Sequence, residues 1–415
     1  MNKISLPYGK TNIQLSIPNK NIINIIKPNE LIHTKNEIHI LKEAIENPIN
    51  SKRLFELVNK DLNVVIIVSD ITRTVPAKKI LPLILNELYK GNVKDKNITI
   101  VFALGLHRNQ TESEMKQIVG NDIYKRILCI EHDSKKCVHL GKTKYETPIE
   151  IFEPVLNADV IVCIGNIEFH YYAGYTGGVK AILPGVSSEN SIIANHKKML
   201  DDAAITGNLN SPVRKDMEEA ISYLAGKSLF LMNTVLNSKK KVVYAVAGNM
   251  VDAHSKGANF MDKMYKIAIN QLADIIIVSP GGHPKDITLF QAHKSLENAK
   301  NGVVEGGIIL LIAECDEGFG NKVYEKWSVE SKNPDDAIER FNQSFEFGGH
   351  KAALIAKLSK KYKLCLKSNL TIDETKSVFF EKVECVQTHI DALLDKNPDS
   401  KIFIMQSGGL TLPKN

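Results

Sequence analysis

The sequence predicts an α/β protein: two α/β domains with mostly parallel sheets, and a site in the cleft between them. Three observations carry that prediction. Val64-Val65-Ile66-Ile67-Val68 is a continuous β-branched run without polar alternation, the pattern of a strand buried on both faces of a parallel sheet. Comparable apolar strands recur at 98–103, 160–164 and 275–278, each handing over through a polar or Gly-rich loop to a helical pattern. The length, 415 residues, is long for one domain, so two are expected.

In chain order, residues 1–40 read as short strands with turns at Tyr8-Gly9 and Pro18-Asn19, and residues 51–60 as a helix. The strand at 64–68 ends at Ser69-Asp70-Ile71-Thr72-Arg73, and Pro76 opens a helix over 77–90. A Ser-Asp pair before a helix is ordinarily a cap. Arg73 has no capping role, and its guanidinium suits a bidentate carboxylate contact. The strand 98–103 leads into Gly105-Leu106-His107-Arg108 and a capping-box-like helix start at Thr111–Glu114. The strand 160–164 leads into a loop dense in Gly and aromatics that carries His170 and Lys180. A helix capped by Ser187 or Ser188 comes next, with Ile192, Ile193 and His196 on one face.

Residues 201–260 read as helices with a β stretch at 242–246. A boundary near 268 makes 1–268 an N-terminal domain and 269–399 a C-terminal one, with the tail 400–415 returning to the first. The second half opens on the strand 275–278 and the loop Pro280–Pro284. A helix from Asp286 to Lys300 comes after it, bearing Phe290, Gln291 and Lys294. A strand at 306–313, helices at 334–345 and 349–360, and a last strand at 401–405 complete the reading.

Composition narrows the partners. The net charge is +6, with lysines spread along the chain and no basic patch interleaved with aromatics, so nucleic acid is not expected. The six cysteines show no C-x-x-C spacing, which suits a reducing compartment and argues against structural zinc. No run reaches the eighteen or so apolar residues of a membrane helix. The opening MNKISLPYGKTNIQLSIP alternates like a strand, unlike a secretory leader, so the expectation is a cytoplasmic protein without a membrane partner.

The common nucleotide and hydrolase signatures are missing: no G-x-G-x-x-G after a strand, no Walker A motif, no H-E-x-x-H, no G-x-S-x-G. Instead three successive strands deliver Asp70 and Arg73, His107 and His170 to one rim of a sheet, where open α/β folds hold ligands. Thr176-Gly177-Gly178 lets backbone approach a ligand, and a loop leading to a helix N-terminus is an anion site. Two histidines facing one substrate can act as base on one side and acid on the other, which suits inversion at a stereocentre. A third, neutral His can ligate a late first-row metal.

These residues match a known family. Over essentially its whole length the chain resembles the nickel-dependent lactate racemases. The carrying motifs are SDITR at 69–73, ALGLHR at 103–108, HYYAGYTGGVKAILPG at 170–185, NH at 195–196, PGGHPKD at 280–286 and QAHK at 291–294. The resemblance implies a racemase or epimerase inverting C2 of lactate or a related small 2-hydroxy acid, by hydride transfer to and from a cofactor through a 2-keto acid. It implies a nickel-pincer nucleotide (pyridinium-3,5-bisthiocarboxylic acid mononucleotide with nickel), and hence cofactor-biosynthesis enzymes as partners. Lys180 matches the lysine that can attach to the cofactor through a thioamide, and His196 the protein ligand to nickel. His107 and His170 match the paired acid/base groups. Arg73, Gln291 and Lys294 match groups near the substrate. Asp70, Thr176, Gly177 and Gly178 would line the cofactor pocket, with phosphate on the loop's backbone N–H groups. Phe290 stands where the family's lactate enzymes are expected to carry Tyr, and Phe169 where Pro commonly precedes the His. Two other classes remain open: a nicotinamide-dependent 2-hydroxyacid oxidoreductase, and a non-catalytic cofactor-binding protein. The absent G-x-G-x-x-G speaks against the first, and the presence of both His107 and His170 against the second.

Overall fold

The structure, a computed structural model, describes residues 1–29 and 36–414. Its chain divides into two compact units, one of residues 30–262 and one joining residues 1–29 to 263–415. The expected boundary near 268 thus lies close to an observed one, but the first 29 residues go with the C-terminal part. The strand Ile22–Ile26 pairs in parallel with Ile402–Met405, so the tail stays in that terminal unit.

In the 30–262 unit, six strands form one sheet in the order Val242–Gly248, Ser228–Leu236, Val160–Asn166, Val64–Ser69, Ile98–Ala103, Leu128–Glu131. All neighbours are parallel except the first pair, which is antiparallel. Val64 to Val68 are buried on both faces, as an unbroken β-branched run requires. From Val64–Ser69 the chain winds outward to the strands at 98 and 128, then crosses back to place Val160–Asn166 on the other side. The carboxyl ends of the strands at 64 and 160 therefore flank a topological switch point, where the loops diverge and leave a crevice. Helix Ala77–Lys90 packs Ile80, Leu81, Ile84, Leu85 and Leu88 against the sheet.

The terminal unit holds a second six-stranded sheet, all parallel: Glu381–Lys382, Lys363–Lys367, Val303–Ile312, Ala273–Val278, Ile402–Met405, Ile22–Ile26. The hairpin Asn2–Tyr8/Thr11–Ile17 buries Ile4, Leu6, Leu15 and Ile17 on the core that includes Ile275, Leu310 and Ile404.

Two local expectations differ from the structure, and one falls outside it. Residues 51–60 contain only a 3-10 turn, Leu54–Glu56; the helix lies earlier, at Glu37–Glu46. Leu54, Leu57 and Val58 mimic a helical spacing, but Asn59-Lys60-Asp61 ends the run before a second turn can form. Residues 30–35, read as part of the opening strands, lie outside the described residues. Finally, Ser228–Leu236 is a strand inside the region read as helical, and nearly all of it is buried. Among the described residues no helix is long and apolar enough to cross a membrane.

Candidate active site

The loop after Val64–Ser69 folds back on itself through Asp70. Its carboxylate accepts from the Thr72 backbone N–H at 2.8 Å and from the Thr72 hydroxyl at 2.5 Å. Its other oxygen meets His107 Nδ1 at 2.5 Å. Asp70 is buried while His107 keeps 30% of its side chain exposed, so the pair points an imidazole outward from a fixed base. Burial raises the Asp70 carboxyl. The hydrogen bonds from His107 and Thr72 and the charge of Arg73 outweigh that, holding it below the usual carboxylate range. A carboxylate at Nδ1 makes that nitrogen the donor and leaves Nε2 with the lone pair. Asp70, expected at the cofactor, is thus found orienting His107.

His170 comes from the loop after the neighbouring strand, on the two-residue strand Phe169–His170 paired with Gly174–Tyr175. Its Nδ1 accepts from the Ala173 backbone N–H at 3.3 Å, and its ring lies against Tyr171 and Tyr172, with centroids at 5.1 and 4.4 Å.

Tyr172, which sequence reasoning passed over, is where the expected groups converge. Its buried ring packs edge-on against His170. It lies 5.1 Å from the His196 ring, and the Lys180 amine stands 5.6 Å from its centre. Protein surrounds the Lys180 amine on most sides although its side chain still meets solvent, the situation of a group in the wall of a concavity. Burial first, then the charges of Arg73 and Arg214, push that amine well below the ordinary lysine range, which favours its uncharged, nucleophilic form. Arg73 acts on Asp70, Tyr172 and Lys180 alike, which ties the two loops into one cluster.

His196 ends helix Glu189–His196 and is 8% exposed. Its Nδ1 faces Asn195 Oδ1 at 3.2 Å. Ser188 caps the other end of this helix, accepting from Ser191 N, and its hydroxyl meets Glu150. The Ser188 hydroxyl therefore takes one of the N–H groups of the helix N-terminus expected to hold an anion.

The glycine loop is also committed to the protein. Thr176 N donates to the Glu168 carbonyl and Gly178 N to Asn233 Oδ1, each at 2.8 Å, so those two N–H groups are not aimed at a phosphate. Glycine is required here by close packing at positive φ. A Cβ on Gly177 would lie 2.4 Å from Asn233 Oδ1, and one on Gly178 would lie 2.8 Å from the His254 ring. Asn233 sits on the strand missed in the sequence. His254, kept neutral by burial and by Arg214, meets the Thr176 carbonyl at 2.8 Å. Arg214, 1% exposed, donates to the carbonyls of Ala173 and Tyr175 and holds the loop from beneath.

Gln291 and Lys294 lie in the terminal unit, on helix Leu289–Ala299, one turn apart on its exposed face; Ala292, His293, Ser295 and Leu296 fill the buried face. Phe290 packs under the Lys351 amine, 4.0 Å from its ring centre, with Tyr324, Phe347 and His350 around it.

No group of three or more His, Cys, Asp or Glu that could hold a metal ion occurs among the described residues. Beside Tyr172 the chain offers an enclosed imidazole, His196, and an amine held well below the ordinary lysine range, Lys180. That pair fits a metal that arrives already chelated by an organic group, and does not fit a bare ion.

Known proteins resemble the chain in sequence and in fold. Residues 8–207 match the family model "Lactate racemase N-terminal domain" and residues 268–408 the model "Lactate racemase C-terminal domain". The chain is 37% identical over 350 residues to a lactate racemase of Thermoanaerobacterium thermosaccharolyticum, covering 82% of this chain and 81% of the relative. It is 32% identical over 346 residues to one of Lactiplantibacillus plantarum, covering 81% and 80%. The apoprotein structure of the lactate racemase from Thermoanaerobacterium thermosaccharolyticum superposes with a TM-score of 0.91 at 31% identity, covering both chains in full. A Thermotoga maritima protein shares the fold alone, with a TM-score of 0.65 at 18% identity over 91% of this chain and 97% of the other. The chain belongs to the lactate racemase family, whose named members are isomerases.

Proposed function

We propose that this protein inverts C2 of lactate or a closely related small 2-hydroxycarboxylate, working with a nickel-pincer nucleotide in the cytoplasm. The observation that carries the reading is the convergence of His170, Lys180 and His196 on Tyr172, with Arg73 linking them to the Asp70–His107 pair. In this reading Lys180 would hold the cofactor through a thioamide, and His196 would supply one imidazole to its metal. When bound, the cofactor supplies a hydride acceptor at the substrate's C2.

The chain handles protons and orientation. His107 Nε2, presented by Asp70, takes the hydroxyl proton from one enantiomer. His170 returns a proton to oxygen on the opposite face, and the roles exchange in the reverse direction. Arg73 binds the carboxylate and so holds C2 in register. The enclosed rings of Tyr172 and Tyr175 keep water from the keto acid between the two transfers.

The deciding experiment is a screen of D- and L-2-hydroxy acids for inversion with cofactor-loaded protein. Inversion without net accumulation of keto acid supports the reading. Stoichiometric NADH formation in place of inversion would overturn it in favour of a nicotinamide oxidoreductase.

A further inference from the structure

Helix Pro212–Ala220, which carries none of the expected site residues, holds a carboxylate at the centre of a buried polar network. Asp216 is fully enclosed. It accepts from the Thr143 hydroxyl at 2.5 Å, the Thr147 hydroxyl at 2.6 Å and Asn195 Nδ2 at 2.8 Å, and the Lys198 amine stands 3.2 Å away. Every partner donates, because an ionised carboxylate only accepts. Asn195 Nδ2 has a second acceptor, the Val213 carbonyl at 3.0 Å. Two acceptors at one end of an amide identify that end as the NH2, so Asn195 Oδ1 is the atom turned toward His196 Nδ1, 3.2 Å away. A carbonyl oxygen there makes Nδ1 the protonated nitrogen and leaves the lone pair on Nε2. The edge-on Tyr172 ring, 5.1 Å away, limits rotation of the imidazole.

We propose that Asp216, acting through Asn195, is a positioning residue that fixes His196 in its Nδ1–H tautomer, so that Nε2 is the metal-ligating atom. The inference rests on the reading of His196 as the chain's nickel ligand. It adds a relay three residues deep, from helix Pro212–Ala220 to helix Glu189–His196. Partners that orient a ligating imidazole are typically worth about 10–100-fold in metal affinity.

The test separates the network from the metal. Full-length chain labelled with 15N-histidine is examined without cofactor, at alkaline pH where the ring is neutral. Signals that vanish in His196→Gln are assigned to His196. The wild type is expected to show Nδ1–H. Asp216→Asn keeps the shape but offers a donor where only acceptors fit, so the Asn195 amide turns over and His196 shifts toward Nε2–H. Cofactor-loaded Asp216→Asn should then hold nickel about 10–100-fold more weakly, as nickel per chain after dilution and gel filtration. Adding Asn195→Asp to Asp216→Asn exchanges amide and carboxylate, restores an acceptor at Nδ1, and should recover both tautomer and nickel. A purely structural Asp216 would lower stability without moving the tautomer. An Nε2–H ring in the wild type, or unchanged nickel retention in Asp216→Asn, overturns the positioning role. If Asp216→Asn does not fold, the wild-type spectrum and the double variant decide. Failure of the wild type to take up nickel at all overturns the reading of function instead.

Discussion

Lys180 and Lys351, one in each unit, are both surrounded by protein, and in both burial and a neighbouring cation push the amine well below the ordinary lysine range. Their surroundings then part. Lys351 is sealed at 3% exposure, donates to the Phe290 carbonyl, sits over the Phe290 ring at 4.0 Å and has Glu297 near enough to favour its charge. Lys180 still meets solvent, faces the Tyr172 ring, and has Arg73 and Arg214 disfavouring its charge. Burial alone therefore does not mark a reactive lysine. What marks it is burial among cations at a surface a ligand can reach, which is an unfavourable arrangement unless the amine is meant to be uncharged.

The largest expected difference between the two is covalent. Lys180→Arg should lose every cofactor adduct in an intact-mass measurement and all racemisation with it, whereas Lys351→Arg should keep the adduct. An adduct surviving in Lys180→Arg would place the attachment elsewhere.

The same contrast separates reacting from packing histidines. His107→Ala and His170→Ala should each lower racemisation about 10²–10⁴-fold, the usual worth of a positioned acid or base. In single turnovers each variant should fail on the opposite enantiomer; a shared loss would put both rings on one face. Asp70→Asn tests the presentation of His107, since an amide can offer Nδ1 a donor and favour the wrong tautomer. Loss up to the same 10²–10⁴-fold is expected, with the fold intact by circular dichroism. The Asp70 carboxyl is held below the unfolded value of about 3.9, so its contribution to stability is complete above about pH 4. That contribution is lost as pH falls through the lower folded value, and Asp70→Asn should flatten this acid limb of the melting profile.

Stability should then move in opposite directions. With the Lys180 amine held below its unfolded value in the fold, the unfolded state binds more protons between the two values, and stability rises with pH up to about 10.4. Cofactor-free Lys180→Met should accordingly melt higher than wild type at neutral pH, by a margin that shrinks toward pH 10. Lys351→Met removes the hydrogen bond to the Phe290 carbonyl, and should cost about 1 kcal/mol in denaturant unfolding. The smallest effect is expected at the ring itself. Phe290→Tyr adds a hydroxyl beside Tyr324, Phe347 and His350 and should shift relative kcat/KM across a panel of 2-hydroxy acids without abolishing turnover. An unaltered panel would remove Phe290 from the substrate wall.

The strands that carry Asp70, His107 and His170 were legible because doubly buried β-branched runs have few other solutions, and the residues just after such a strand emerge at the sheet's rim. The features that stayed hidden depend on contacts distant in sequence. Asn233 was out of reach once Ser228–Leu236 was read as helical, although Leu229 to Leu236 is largely apolar. Arg214 and Asp216 look like ordinary polar positions in PVRKDMEEA; only folding brings them under residues 173–175 and 195. Asp70 was legible as a site residue but not as the partner of His107, 37 residues away. The Ile22–Ile26 strand gave no sign that its neighbour would be Ile402–Met405.

That last pairing sets an order of assembly. The sheet carrying Asp70, His107 and His170 is complete once residue 262 has left the ribosome, whereas the terminal sheet lacks its Ile402–Met405 strand, between Ala273–Val278 and Ile22–Ile26, until residue 405 follows. At 5–20 residues per second the gap is roughly 10–30 s. Throughout it, the strand Ile22–Ile26 waits without its ladder partner, an open sheet edge within reach of chaperones and proteases long after it was made.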